Sequence, residues 1–292
     1  MSNYDFEYLK LVDKVLENGI VNPCRTGNNT YVLLNQVLTH DLKQGFPICT
    51  FRQMPFKGAC GELECFLHGY TNKEQYEAAK CMYWKEWCRP DQVPYGDKEN
   101  MLKNKDLGPI YGWQWKFGGA KYIDCDTDYT GQGSDQIKYL IDTLKKNPYD
   151  RRLVVSAWNL HDQDKMALPP CVYAFQLNYL ANRLHITVTQ RSCDLILGVP
   201  TDIVFYSLLL HLICQTVNME PGTVTFNLCN CHVYDNHVEI YKEHRDEFYD
   251  MYLTKLPKLI LDEKADVFNF THDMASLENY EHGPKVSFPI AV

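Results

Sequence analysis

Residues 4–17 place Phe6, Leu9, Val12, Val15 and Leu16 on one side of a helical wheel, which predicts an amphipathic helix. The pattern changes over residues 30–42 to β-branched, alternating positions, which predict a strand. Residues 61–68 read as a short helix opened by a glycine, 135–145 as a helix and 152–158 as a strand. Two more alternating runs, 172–179 and 184–189, flank Ala181-Asn182 and predict a hairpin. The most apolar stretch, 203–217, contains Ser207, His211 and Gln215 and is shorter than the ~20 residues of a membrane span, so a buried helix over 201–217 is expected. A strand over 223–228 and a helix over 236–245 follow. No repeat or low-complexity linker divides the chain. The pattern predicts one mixed α/β (α+β) domain over 1–292, with surface insertions near 88–106 and 118–133.

Composition narrows this little. The chain has 292 residues, 45% of them hydrophobic, enough for a substantial core. A net charge of -8 argues against a general nucleic-acid surface, although a few local arginines suffice to hold one phosphate. The first ten residues are acidic and charge-broken, unlike a signal peptide, so the cytoplasm is the expected compartment. Twelve cysteines occur without any C-x-x-C pair; the nearest spacing, Cys229-Asn230-Cys231, matches no common zinc pattern. Free, mostly buried thiols are expected, rather than a disulfide- or metal-stabilised scaffold.

Against that background Cys171 stands out through its neighbours. Leu168-Pro169-Pro170 stiffens the backbone before it and a strand follows, which sets the thiol at the mouth of a rigid element. Gln190-Arg191-Ser192-Cys193-Asp194 closes the predicted hairpin and puts charges into an apolar sheet, which is costly unless they are paired or bind a ligand. Taken singly, each residue also has a structural reading: Cys171 starting a buried strand, Asp202 capping a helix, Glu62 on a solvated helix, Arg151-Arg152 opening a strand.

Taken together, these stretches resemble the thymidylate synthase family over nearly the whole chain. The resemblance is carried by Arg25-Thr26-Gly27, Gly61-Glu62-Leu63, Tyr83-Trp84-Lys85-Glu86-Trp87, Asp106-Leu107-Gly108-Pro109-Ile110-Tyr111-Gly112 and Arg151-Arg152-Leu153-Val154-Val155-Ser156-Ala157-Trp158-Asn159. It continues through Met166-Ala167-Leu168-Pro169-Pro170-Cys171, Gln190-Arg191-Ser192-Cys193-Asp194, Cys231-His232-Val233-Tyr234 and Phe288-Pro289-Ile290-Ala291-Val292. It implies a curved mixed sheet packed by helices and a sheet-to-sheet homodimer whose two sites each borrow arginines from the partner. The implied co-substrate is 5,10-methylenetetrahydrofolate, and no metal is implied.

Residue by residue, the resemblance implies that Cys171 is the nucleophile that adds to pyrimidine C6 and activates C5. Arg191 is the cation expected to favour its thiolate. Glu62 corresponds to the general acid/base, and Tyr111 falls in the catalytic set. Arg25 and Arg191 correspond to phosphate ligands of the same subunit, Arg151 and Arg152 to those given by the partner. Gln190, Ser192, Asp194 and Asp202 line the nucleotide, and His232 and Tyr234 address the sugar 3′-hydroxyl. Asp194 also faces the pterin. Trp84, Trp87, Leu168, Gly198 and Val292 correspond to the folate shelf and closing tail.

Two positions depart from the family pattern. Asp202 stands where asparagine is usual, and Val172 where a histidine follows the nucleophile. An amide matches the N3–H donor and O4 acceptor of uracil; cytosine reverses that order, and an acidic group suits it. Both departures resemble the dCMP hydroxymethylase branch. The sequence therefore predicts a dCMP 5-hydroxymethylase. A dCMP C5-methyltransferase, a dUMP thymidylate synthase and a non-catalytic nucleotide- or RNA-binding regulator are the alternatives.

Overall fold

The computed structural model describes residues 4–251 and 255–291. Helix α1 (Tyr4–Asn18) leads into strands β1 (Ile20–Pro23) and β2 (Asn29–Asp41). Helices α2 (Phe56–His68), α3 (Lys73–Ala78), α4 (Lys98–Asn104), α5 (Tyr111–Phe117) and α6 (Gln136–Lys146) follow. Then come β3 (Val154–Ser156), β4 (Val172–Leu180), β5 (Arg183–Gln190), β6 (Cys193–Asp194), α7 (Gly198–Val217), β7 (Glu220–Tyr234) and α8 (Asp235–Met251). A separate hairpin, β8 (Lys258–Leu261) with β9 (Ala275–Glu278), completes the described elements.

The main sheet runs β1-β2-β7-β5-β4-β3, with β6 continuing beside β7. β5 and β6 lie parallel to β7 and the other pairs are antiparallel, so the sheet is mixed as expected. The parallel step needs a crossover, and α7 supplies it between β5–β6 and β7. Leu184, Ile186, Val188 and Gln190 of β5 face inward with Val224, Phe226 and Leu228 of β7. Thr187, Thr189, Thr225 and Asn227 alternate onto the opposite, half-exposed face, where Val37 of β2 is 62% exposed.

α7 is buried nearly all round, from Val199 to Cys214, which explains a sequence almost without amphipathic contrast. It is long and apolar enough to cross a membrane by length and composition, but here it packs against the sheet. The β4–β5 turn is made by Ala181 and Asn182, both with positive φ (50° and 61°), the geometry that matches the twist of a tight hairpin.

Several boundaries differ from the sequence reading. α2 begins at Phe56, five residues before Gly61. Gly61 is interior to it because a Cβ there would lie 1.8 Å from the carbonyl oxygen of Ala79. The strand expected over 152–158 contracts to Val154–Ser156, while that expected over 223–228 extends to Tyr234 through pairing with β2. The polar stretch 91–106 contains α4 and ends on Asp106, which is buried and accepts from Tyr122 Oη at 2.6 Å. Asp202 is no helix cap: it is the fifth residue of α7, and its side chain turns to the sheet.

Candidate active site

The nucleophile candidate is built from three segments. Pro169-Pro170 brings the chain to Cys171 directly before β4. Arg191, one residue past β5, donates its backbone N–H to the Cys171 carbonyl at 2.9 Å. Its guanidinium donates to Pro170 O at 2.8 Å and Pro169 O at 3.0 Å, and stacks over Trp158. From the other side, Tyr111 at the start of α5 accepts the Cys171 backbone N–H at 2.5 Å. The residue carrying the thiol is thus fixed through its main chain, and the Tyr111 hydroxyl also acts on the thiol, favouring its ionised form.

Burial pushes the Cys171 thiol above its ordinary range; Arg191 pulls it down and Asp202 adds to the rise. The guanidinium favours ionisation, but in the free site burial outweighs it.

Glu62 of α2 is fixed by a single donor, Trp84 Nε1, at 2.8 Å. Burial pushes its carboxyl up to about 7, and the Trp84 bond acts in the opposite sense. Trp84 is therefore turned inward, only 4% exposed, while Trp87 and Leu168 remain half-buried. A carboxyl poised near neutrality and held in one orientation can both accept and return a proton.

Asp202 is half-buried, and its Oδ2 accepts from Gln190 Nε2 at 2.8 Å. Gln190 also donates to Ser192 O at 3.1 Å, and its own Oε1 has no hydrogen-bond partner among the described residues. Burial drives the Asp202 carboxyl well above the usual carboxylate range, with Glu62 raising it further. Val172 is buried at 3% and brings no polar atom beside the nucleophile.

Asp194, on β6, accepts from the N–H groups of Ile196 and Leu197 at 2.8 and 3.2 Å, which fixes the approach to α7. A Cβ at Gly198 would sit 3.7 Å from Asp194 Cβ and 3.9 Å from Asp202 Oδ2, so this glycine lies between the two carboxylates. His232 is buried, its Nδ1 3.0 Å from Asn230 O, and its ring meets Tyr234 edge-on at 5.2 Å. Arg25 is exposed and stacks over Tyr95. Arg151 and Arg152 are exposed on the turn before β3, away from this cluster, and Arg152 pairs with Asp150 at 3.5 Å. Val292 lies outside the described residues.

Three features escaped the sequence reading. Asp162 is buried and receives Gln114 Nε2 at 3.0 Å, Asn159 Nδ2 at 2.8 Å and Lys165 Nζ at 3.2 Å, tying the Tyr111 helix to the loop before Cys171. Tyr206, one turn beyond Asp202, has its phenol raised well above its ordinary range by burial, with Asp202 next. His237 is fully buried and holds Pro289. Only His237 carried a readable signal, a histidine three residues after Tyr234. All twelve cysteines are free.

The thymidylate synthase family model matches residues 6–292. Thymidylate synthase of Saccharomyces cerevisiae is 37% identical over 98% of this chain and 96% of that protein. Bifunctional dihydrofolate reductase-thymidylate synthase of Paramecium tetraurelia is 34% identical over 98% of this chain and 61% of that protein. The Leishmania major protein of the same name is 39% identical over 81% of the chain and 46% of its own length. The chain thus spans about three-fifths or less of these bifunctional relatives and nearly all of the yeast protein. On the match across its length and the identity to these relatives, the chain belongs to the thymidylate synthase family of one-carbon transferases.

Proposed function

We propose that this protein transfers a one-carbon unit from 5,10-methylenetetrahydrofolate to C5 of dCMP and releases 5-hydroxymethyl-dCMP. The observation that carries the cytosine assignment is the Gln190–Asp202 bond. Gln190 holds Oδ2 as an acceptor, and burial raises the carboxyl's pKa, which favours a proton on Oδ1. Asp202 then offers one donor and one acceptor in a fixed order. Cytosine N3 accepts and its 4-amino group donates; uracil presents the reverse order. An acceptor facing an acceptor there costs about 1–3 kcal/mol, one to two decades of selectivity. Val172 supports the same reading, since it adds no polar group that would reorganise around a carbonyl.

In this reading Cys171 adds to C6 as Arg191 favours its thiolate, and C5 becomes nucleophilic. C5 takes the methylene from the folate and loses its proton, and tetrahydrofolate departs to leave an exocyclic methylene. Water then forms the new C–O bond, its proton passes to Glu62, and the electron pair returns through the ring to expel Cys171. No redox change occurs. Arg25 and Arg191 take the 5′-phosphate, and His232 and Tyr234 the 3′-hydroxyl. The half-exposed sheet face around Val37, Thr187 and Thr225 is the surface for a homodimer, whose partner supplies Arg151 and Arg152.

A second reading, dCMP C5-methylation, draws on the seated C-terminal segment: Phe288 is buried and the Pro289 carbonyl is held by His237. A sealed site favours hydride over water at the methylene. Mass spectrometry of the product from dCMP and methylenetetrahydrofolate decides. The expected result is 5-hydroxymethyl-dCMP without the absorbance rise of dihydrofolate. 5-Methyl-dCMP with dihydrofolate would establish the second reading, and faster C5 tritium release from dUMP than from dCMP would overturn the cytosine assignment.

A further inference from the structure

His237, in the first turn of α8, faces three parts of the site from a fully buried position. Its Nε2 lies 2.7 Å from Pro289 O, and since a carbonyl only accepts, Nε2 carries the proton. Its ring meets Phe288 at 5.4 Å and Tyr234 at 5.5 Å. Its Nδ1 is 4.0 Å from Asp194 Oδ1 and has no hydrogen-bond partner among the described residues. Buried Arg52 also contacts Phe288: its guanidinium lies 5.2 Å from the ring and donates to Ile196 O. Both contacts therefore refer the C-terminal segment to residues 194–196, the approach to α7.

We propose that His237 is a positioning residue: it sets the C-terminal segment on the Asp194 side of the site, and so controls how the folate is held and how much water reaches the methylene. This rests on the folate-dependent reading above. Residues 281–291 form no helix or strand; backbone bonds tie Gly283 N to Thr50 O at 2.8 Å and Gln53 N to Pro284 O at 3.0 Å, and beyond Pro284 side-chain contacts hold the segment. A chain end without such ties is among the freest parts of a protein. Over the last residues Ile290 is 56% exposed and contributes little, which leaves Phe288 and the Pro289 carbonyl as the anchors there. Proline fixes φ before that carbonyl, so one buried donor orients the peptide that follows. Removal of the donor loses one part-buried hydrogen bond, equivalent to up to about tenfold in the docking equilibrium.

The test uses the full chain. His237→Phe keeps an aromatic ring and removes the donor; His237→Gln keeps a donor. In His237→Phe, hydrogen exchange at residues 288, 290 and 291 rises about tenfold while α7 amides are unchanged. KM for methylenetetrahydrofolate rises about tenfold and KM for dCMP stays within about twofold. His237→Gln restores both, and Phe288→Ala, which loosens the same segment without changing a residue of α8, gives the same KM split. Unchanged exchange in His237→Phe would overturn the anchoring, and a parallel rise in both KM values would overturn the link to the folate side. A wild-type protein with no folate-dependent turnover would refute the functional reading alone, because exchange still reports the anchor.

Discussion

Gln190 and Asp202 meet across 2.8 Å, one from the end of β5 and the other from the second turn of α7, so sheet and helix together fix the orientation of a carboxyl group. Asp202→Asn retains the size of that group and exchanges an acid for an amide. It is expected to lower the dCMP-to-dUMP ratio of kcat/KM by about 10- to 100-fold. Tritium release from C5 of each nucleotide measures the ratio. An unchanged ratio would show that another residue reads the base.

Glu62 makes stability depend on pH in a direction opposite to most carboxylates. Burial raises its pKa from 4.5 to about 7, with the Trp84 bond partly offsetting the rise. Between those values the folded state binds more protons than the unfolded chain, so stability is greatest below about 4.5 on this account and falls as pH rises towards 7. The full shift amounts to at most about 3–4 kcal/mol. Glu62→Gln should flatten the loss of urea stability between pH 5 and 7.5, and Trp84→Phe should move it to higher pH by removing the bond that lowers the pKa. The same steepness in wild type and Glu62→Gln would show that Glu62 does not titrate in this range.

Elements whose signal is local were legible in the sequence; partners across the fold were not. The apolar run 203–217 announces a core helix because nearly every side chain of α7 is buried. The Ala181-Asn182 turn follows from alternation on both sides. By contrast, nothing around Phe56 to Cys60 signals the first turn of α2, since Gly58 weakens the helical pattern and Pro55 precedes it. The family resemblance singled out Cys171, Glu62, Asp202 and Trp84. That Trp84 points inward to Glu62, and that burial outweighs Arg191 at Cys171, depend on packing between distant segments.

Gly61 tests that packing directly. Its missing Cβ leaves room for the chain around Ala79, whose carbonyl oxygen would stand 1.8 Å from an added methyl group. The obstacle is backbone, which cannot rotate away. Gly61→Ala is expected to lower stability by about 1–3 kcal/mol despite the better helix propensity of alanine. It should also disturb Glu62 next to it. A urea midpoint equal to or above the wild type would show that the α2–Ala79 contact is looser than described.

Arg151 and Arg152 bear on the proposed dimer. They are exposed on the turn before β3, and Arg152 pairs with Asp150, which suits a proposed role at a second copy's phosphate. A Cys171→Ala chain and an Arg151→Ala/Arg152→Ala chain should each be inactive alone. In their mixed dimer, one site combines an intact Cys171 with intact partner arginines. Random exchange makes half of the dimers mixed, each with one of two sites complete, so about a quarter of wild-type activity should return. Mixing under mild denaturant followed by refolding and assay measures it. Failure of activity to return, with mixed dimers shown to form by mass spectrometry, would place the phosphate ligands within one subunit.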